Sequence, residues 1–159
     1  NFLTDIPSLA IASDSVDAGM LDKPRKWNIK LIRNFMIVFG LESSLFDFLT
    51  FGMLYFIFWV SPELFQTGWF MESVLTEVLI LLVIRTRFSV FKSRPGNLLM
   101  LASLLVILFV MILPFLPVAE VFGMTALPLK ILAVILLIAL LYVAAGEATK
   151  RFLFRKLKF

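Results

Sequence analysis

The sequence predicts an all-α membrane protein: the end of one transmembrane helix followed by four complete transmembrane helices arranged as two antiparallel hairpins. Three observations predict it. Hydrophobic residues make up 61% of the 159 positions, 18 of them Phe, which is more apolar surface than a small globule can hide behind a polar coat. Apolar runs close to the length a bilayer requires alternate with short polar connections. Of the 15 basic residues, all but Lys130 fall in three of those connections, at 23–33, 85–94 and 150–158. That bias is the mark of loops held on the cytoplasmic side.

The same charges explain the net +4 by membrane topology, so a nucleic-acid partner is set aside. With no Cys and no His, there is no disulfide, no thiolate or imidazole chemistry and no Cys/His zinc site. Carboxylates, amides, hydroxyls and carbonyls are left to hold an ion. The chain opens on Asn in the middle of an apolar segment, without signal-peptide architecture, and is read as the C-terminal piece of something larger.

Residues 1–12 are too short to span and form the trailing half of a ligand helix. Asn1 and Asp5 lie four apart on one face with Thr4 beside them, a polar notch among Phe2, Leu3, Ile6, Leu9 and Ile11. An ionisable group there is a functional-site hypothesis, the alternative being a solvated pre-membrane turn. Pro7 bends the helix and frees a carbonyl. Residues 13–34 form a cytoplasmic loop and the start of an interfacial helix, with Trp27 as the anchor.

The first hairpin covers 35–86. Its first span, 35–60, carries Glu42, Ser43, Ser44 and Asp47; Ser43 and Asp47 share a face, suited to bonding a neighbouring helix or, alternatively, to binding an ion. A short loop, 61–68, leads to the second span, 68–84, with Glu72 and Glu77. An acid at mid-membrane depth costs about 2.5–3.5 kcal/mol, so each needs partners or a purpose. Five residues apart, the two stand about 140° apart around the helix. Glu72 is expected at the wet outer end and Glu77 near the middle, which makes Glu77 the stronger ligand; a neutral, hydrogen-bonded Glu77 is the alternative.

A basic turn at 87–97, broken by Pro95 and Gly96, precedes the second hairpin, 98–149. Its spans are 98–118, ended by Pro114 and Pro117, and 129–145, where Ala144, Ala145 and Gly146 permit close helix approach. Residues 150–159 are a basic tail expected to lie solvated at the headgroups on the cytoplasmic side.

NFLTD (1–5), the proline-bearing helix end, the acidic loop, the two hairpins and the basic tail together resemble the C-terminal membrane region of P-type ATPases, from the sixth transmembrane helix to the tenth. The resemblance covers the whole chain. Asn1 and Asp5 match the Asn-x-x-x-Asp cation-ligand motif of calcium pumps, and Thr4 matches the residue between them. IASDSVD (11–17) is similar to the loop after that helix in type III pumps, while LDKPRKW (21–27), SSLFDFLTF (43–51), LFQTGWFMES (64–73) and IRTR (84–87) resemble the magnesium-transporting (type III B) branch. Glu77 departs from that branch, falling where calcium pumps carry an acidic eighth-helix ligand, and Pro7 is a second departure.

The resemblance implies a multi-pass ATP-driven cation pump of the cell membrane, with magnesium as the transported ion. Asp5 would supply the main charge, Asn1 an amide oxygen, Thr4 a hydroxyl that orients water, and Glu77 a carboxylate from a neighbouring span; Asp47 and Glu72 rank below them as ion-transport residues. ATP, with its own magnesium, would be bound by domains absent from this sequence, which lacks an Asp-Lys-Thr-Gly motif and a Gly-rich phosphate loop. This segment alone would then be inactive. The implied partners are the lipid bilayer, upstream transmembrane helices and a cytoplasmic phosphorylation domain, with Asp14 and Asp17 carrying the coupling to that domain. Alternatives are a pump for protons or calcium, or a non-enzymatic support or channel-like module.

Overall fold

The computed structural model describes residues 2–14 and 29–156, the side chains of Leu31 and Lys156 excepted. Asn1, Asp17 and Trp27 lie outside the described residues. Those described form helices α1 (Phe2–Ala10), α2 (Ile29–Gly52), α3 (Pro62–Ile84), α4 (Asn97–Ile112) and α5 (Leu129–Lys156), with short 3₁₀ turns after α1 and α4 and no strand among them. Four helical stretches, Ile32–Ile57, Pro62–Ile84, Asn97–Phe115 and Leu129–Arg155, are long and apolar enough to cross a membrane. This is a multi-pass membrane protein.

Each boundary has a local cause. α2 ends in a π-turn, Met53–Ile57, closed by the Phe58 amide on the Met53 carbonyl at 3.0 Å. α3 starts earlier than the loop expected at 61–68. Ser61 caps it by accepting from the Leu64 amide, Pro62 occupies the first turn where its missing N–H costs nothing, and Glu63 meets the positive end of the helix dipole. The cap outweighs Gly68, which instead gives room for Leu54: a Cβ there would stand 3.1 Å from Leu54 Cδ1.

α3 is the axis of the bundle and packs against each of the other four helices. The expected pairing of α4 with α5 is not among the main helix contacts. α4 packs against α1 and α3, whereas α5 packs against α3 and α2, so α3 lies between two pairs. The reason is the connection. Residues 113–128, tied back to α3 by Thr125 N donating to Thr67 Oγ1 (3.0 Å) and Gln66 Nε2 to the Phe122 carbonyl (3.2 Å), carry the chain across the end of α3. Gly123, at φ 65°, makes the left-handed turn this path requires.

The main core joins Leu54, Met71, Val74, Leu75 and Val78 to Val106 and Val110 of α4 and to Ile131, Ile135 and Ala139 of α5. At Gly146 the backbone of α5 comes so close to α3 that a Cβ would stand 2.7 Å from Ile80 Cδ1, the close approach expected of that small-residue run. α5 then continues unbroken to Lys156 rather than ending at 145. Helix-supporting ion pairs from Glu147 to Lys150 and Arg151, three and four residues on, carry it past the expected exit.

Candidate functional site: an acidic helix, a polar seam and a basic clasp

Three groups of polar residues stand along the bundle. The first is on α1, where Thr4, Pro7 and Ala10 are buried toward α3 and α4 while Asp5 is exposed. Ser8 donates its hydroxyl back to the Thr4 carbonyl at 2.8 Å, one turn earlier in α1. Glu77 on α3 is half-buried. No three acids among the described residues are arranged to hold a metal by themselves.

The second group is a seam between α2, α3 and α5. Because α3 begins at Pro62, Glu72 is ten residues in, about 15 Å along the axis and close to mid-bilayer. Only 1% of it is exposed, which corrects the wet position expected for it. Asp47 and Thr50 of α2 face its carboxyl. Ser43, Glu42, Asp47 and Glu72 surround Tyr142 of α5, whose ring packs 5.1 Å from that of Phe46. Glu42, Thr50 and Tyr142 were not read as site residues from the sequence; Ser43, Asp47 and Thr50 at helical spacing on α2 were the signal that could have found them.

The third group lies where the basic connections meet. Asp14 accepts from Arg85 Nη1 through Oδ2 (2.8 Å) and from the Gly96 amide through Oδ1 (2.6 Å), and Arg85 also donates to the Ser93 carbonyl. Lys150, expected at the membrane surface, is instead fully buried. Its ammonium donates to the carbonyls of Val83 and Phe88, both at 2.8 Å, and to Glu147 at 2.7 Å; the same carboxylate oxygen accepts from the Val90 amide. Two of the three donors of the ammonium are thus used on the end of α3 and the turn that follows, and the third on Glu147 of α5 itself. Phe154 stacks near Phe35 of α2 (5.6 Å) and lies under Arg87, so the basic ends of α2, α3, α4 and α5 gather at one end of the bundle.

The model of the family described as "Cation transporting ATPase, C-terminus" matches residues 1–152. The chain belongs to that family. Among curated relatives of this cation-ATPase C-terminus, the "Magnesium-transporting ATPase, P-type 1" of Salmonella typhimurium (strain 14028s / SGSC 2262) is 38% identical over 98% of the chain and 18% of its own length. The protein of the same name from Escherichia coli (strain K12) is 37% identical over the same shares. The chain therefore spans about a fifth of the length of the relatives it matches (18%). Within this cation-ATPase segment the clasp joins the end of α1 to the later helices, and the seam is built wholly from the later helices.

Proposed function

We propose that this chain is the C-terminal membrane part of an ATP-driven P-type pump that carries magnesium across the cytoplasmic membrane, with its basic end and C-terminus in the cytoplasm. The observation that carries this reading is identity of 38% across 98% of the chain to a magnesium-transporting ATPase. The collection of basic connections at one end of the bundle supports the orientation, since positive loops are retained on the cytoplasmic side.

Asp5 is the principal charge of the ion site, Asn1 and Thr4 contribute oxygen or orient water, and Glu77 acts from α3. Magnesium suits such a set, because it keeps most of its waters and takes one or two carboxylates rather than a full protein cage. Asp5 is exposed on α1, open to the further ligands that helices upstream would add to this set. Those helices and a phosphorylation domain that binds ATP are the partners of this segment, with lipid around them. In the full-length protein reconstituted in liposomes, ATP hydrolysis and cation movement should depend on magnesium in wild type and be lost in Asp5→Asn. Turnover driven equally by calcium, or unchanged in Asp5→Asn, would defeat the reading.

A further inference from the structure

Among the described residues, no basic residue answers the acids of the seam. Glu72 is 1% exposed and its Oε2 has no hydrogen-bond partner; Thr50 is fully buried and its Oγ1 has none either. Both carboxyl oxygens of Glu42, which faces Thr149, are shielded and unpartnered. Among the described residues no Lys or Arg pairs with Glu42, Asp47 or Glu72; Arg85 is engaged by Asp14 and Lys150 by Glu147. The other helices packed on α3 do not change this. α1 offers Asp5, which is exposed, α4 carries no titratable residue, and α5 presents Tyr142 to the seam.

A buried carboxylate with neither a cation nor donors is not tolerated in a bilayer. Among the described residues no three acids are grouped to hold a metal by themselves. A proton needs no such coordination shell. Asp47 also lines a mostly apolar recess of about 250 Å³ with Ser44, Phe48, Phe51 and Trp69 beside the seam.

We infer that Glu72, with Thr50, Asp47, Glu42 and Tyr142 around it, is a proton-binding site of the α2–α3–α5 seam. Uptake converts the Glu72 carboxylate and a hydronium ion into a carboxylic acid and water, and release reverses this. The acid's O–H and the Thr50 hydroxyl then satisfy each other. All five residues belong to this chain, so the site stands apart from the ion site of α1 and does not depend on which cation is pumped.

The test is infrared spectroscopy of the full-length pump at neutral pH in H₂O and D₂O. Wild type should show a neutral-carboxyl C=O stretch that moves to lower frequency in D₂O. Glu72→Gln should remove that band, and Thr50→Val should shift it without removing it. A band that survives Glu72→Gln overturns the assignment, and one that ignores D₂O shows a carboxyl that does not exchange its proton, which overturns it as well. Should Glu72→Gln fail to fold, Thr50→Val decides alone: a moved band supports the site and an unmoved band sinks it. Because the readout needs no transport, its failure is distinguishable from failure of the magnesium reading.

Discussion

Asp14 Oδ2 lies 2.8 Å from Arg85 Nη1, with 7% and 1% of the two side chains exposed. The pair bridges the end of α1 and the end of α3, and the second Asp14 oxygen holds the Gly96 amide at the start of α4. Removing one partner strands a buried charge, at a cost of about 3–5 kcal/mol. Asp14→Ala and Arg85→Ala in the full-length protein should each lower the midpoint of thermal unfolding, and the double variant should lose much less than the sum of the two. An additive double variant would show the contact to be energetically idle. The sequence suggested Asp14 as a coupling charge for a cytoplasmic domain; in the structure it is occupied within the membrane bundle.

Lys150 holds the other side of the same end. Lys150→Met keeps the length of the side chain but leaves Glu147 without its ammonium and the Val83 and Phe88 carbonyls without their donor. A loss of about 3 kcal/mol is expected, because the buried carboxylate keeps only the Val90 amide and the exposed Arg151. Glu147→Gln with Lys150→Met should recover part of it, since the stranded charge is then gone. Denaturant or thermal unfolding reads both; equal stability of the single and double variants would contradict the buried-pair account.

Contact between α5 and α3 at Gly146 can be tested with one carbon atom. A Cβ at Gly146 meets Ile80 Cδ1 at 2.7 Å, whereas Phe39 and Val83 stand at an ordinary 3.7 Å. Gly146→Ala should cost about 1–3 kcal/mol by overpacking, reduced by the better helix propensity of Ala. Ile80→Val removes the atom in the way. Alone it should cost about 0.5–1.5 kcal/mol, but joined to Gly146→Ala it should restore most of the loss. Failure of that rescue would mean the helices part at this point rather than repack.

How far the fold could be read in advance differs from helix to helix. Apolar runs and the clustering of Lys and Arg were enough for the number of spans, because both follow directly from the solvent. Helix partners were not, because Leu and Ile on α4 look alike whether they meet lipid, α1 or α5, and the contact of α5 with α3 turns on Gly146. One misread boundary had a chemical consequence. With Ser61 and Pro62 taken as loop rather than cap and first turn, Glu72 stood near water; with α3 begun at Pro62 it sits about 15 Å down the helix. Lys150 was misread for a different reason, since nothing local distinguishes a tail lysine from one whose acceptors lie on another helix.

Asp5 permits the cleanest separation of stability from function. It is exposed on α1 and the residues that anchor that helix are Thr4, Pro7 and Ala10, so Asp5→Asn removes no packing and no ion pair of the bundle. Exposed substitutions of this kind stay within about 0.5 kcal/mol of wild type. Thermal unfolding of the full-length Asp5→Asn protein should therefore match wild type, while the magnesium concentration giving half-maximal activation should rise at least tenfold, equivalent to about 1.4 kcal/mol of lost ion binding. Thr4→Val should behave in the opposite way to a pure surface change, because its side chain is 2% exposed and replacing the hydroxyl with a methyl disturbs the packed side of α1. Loss of stability in Asp5→Asn with unchanged magnesium activation would assign the carboxylate to folding and take it out of the ion path.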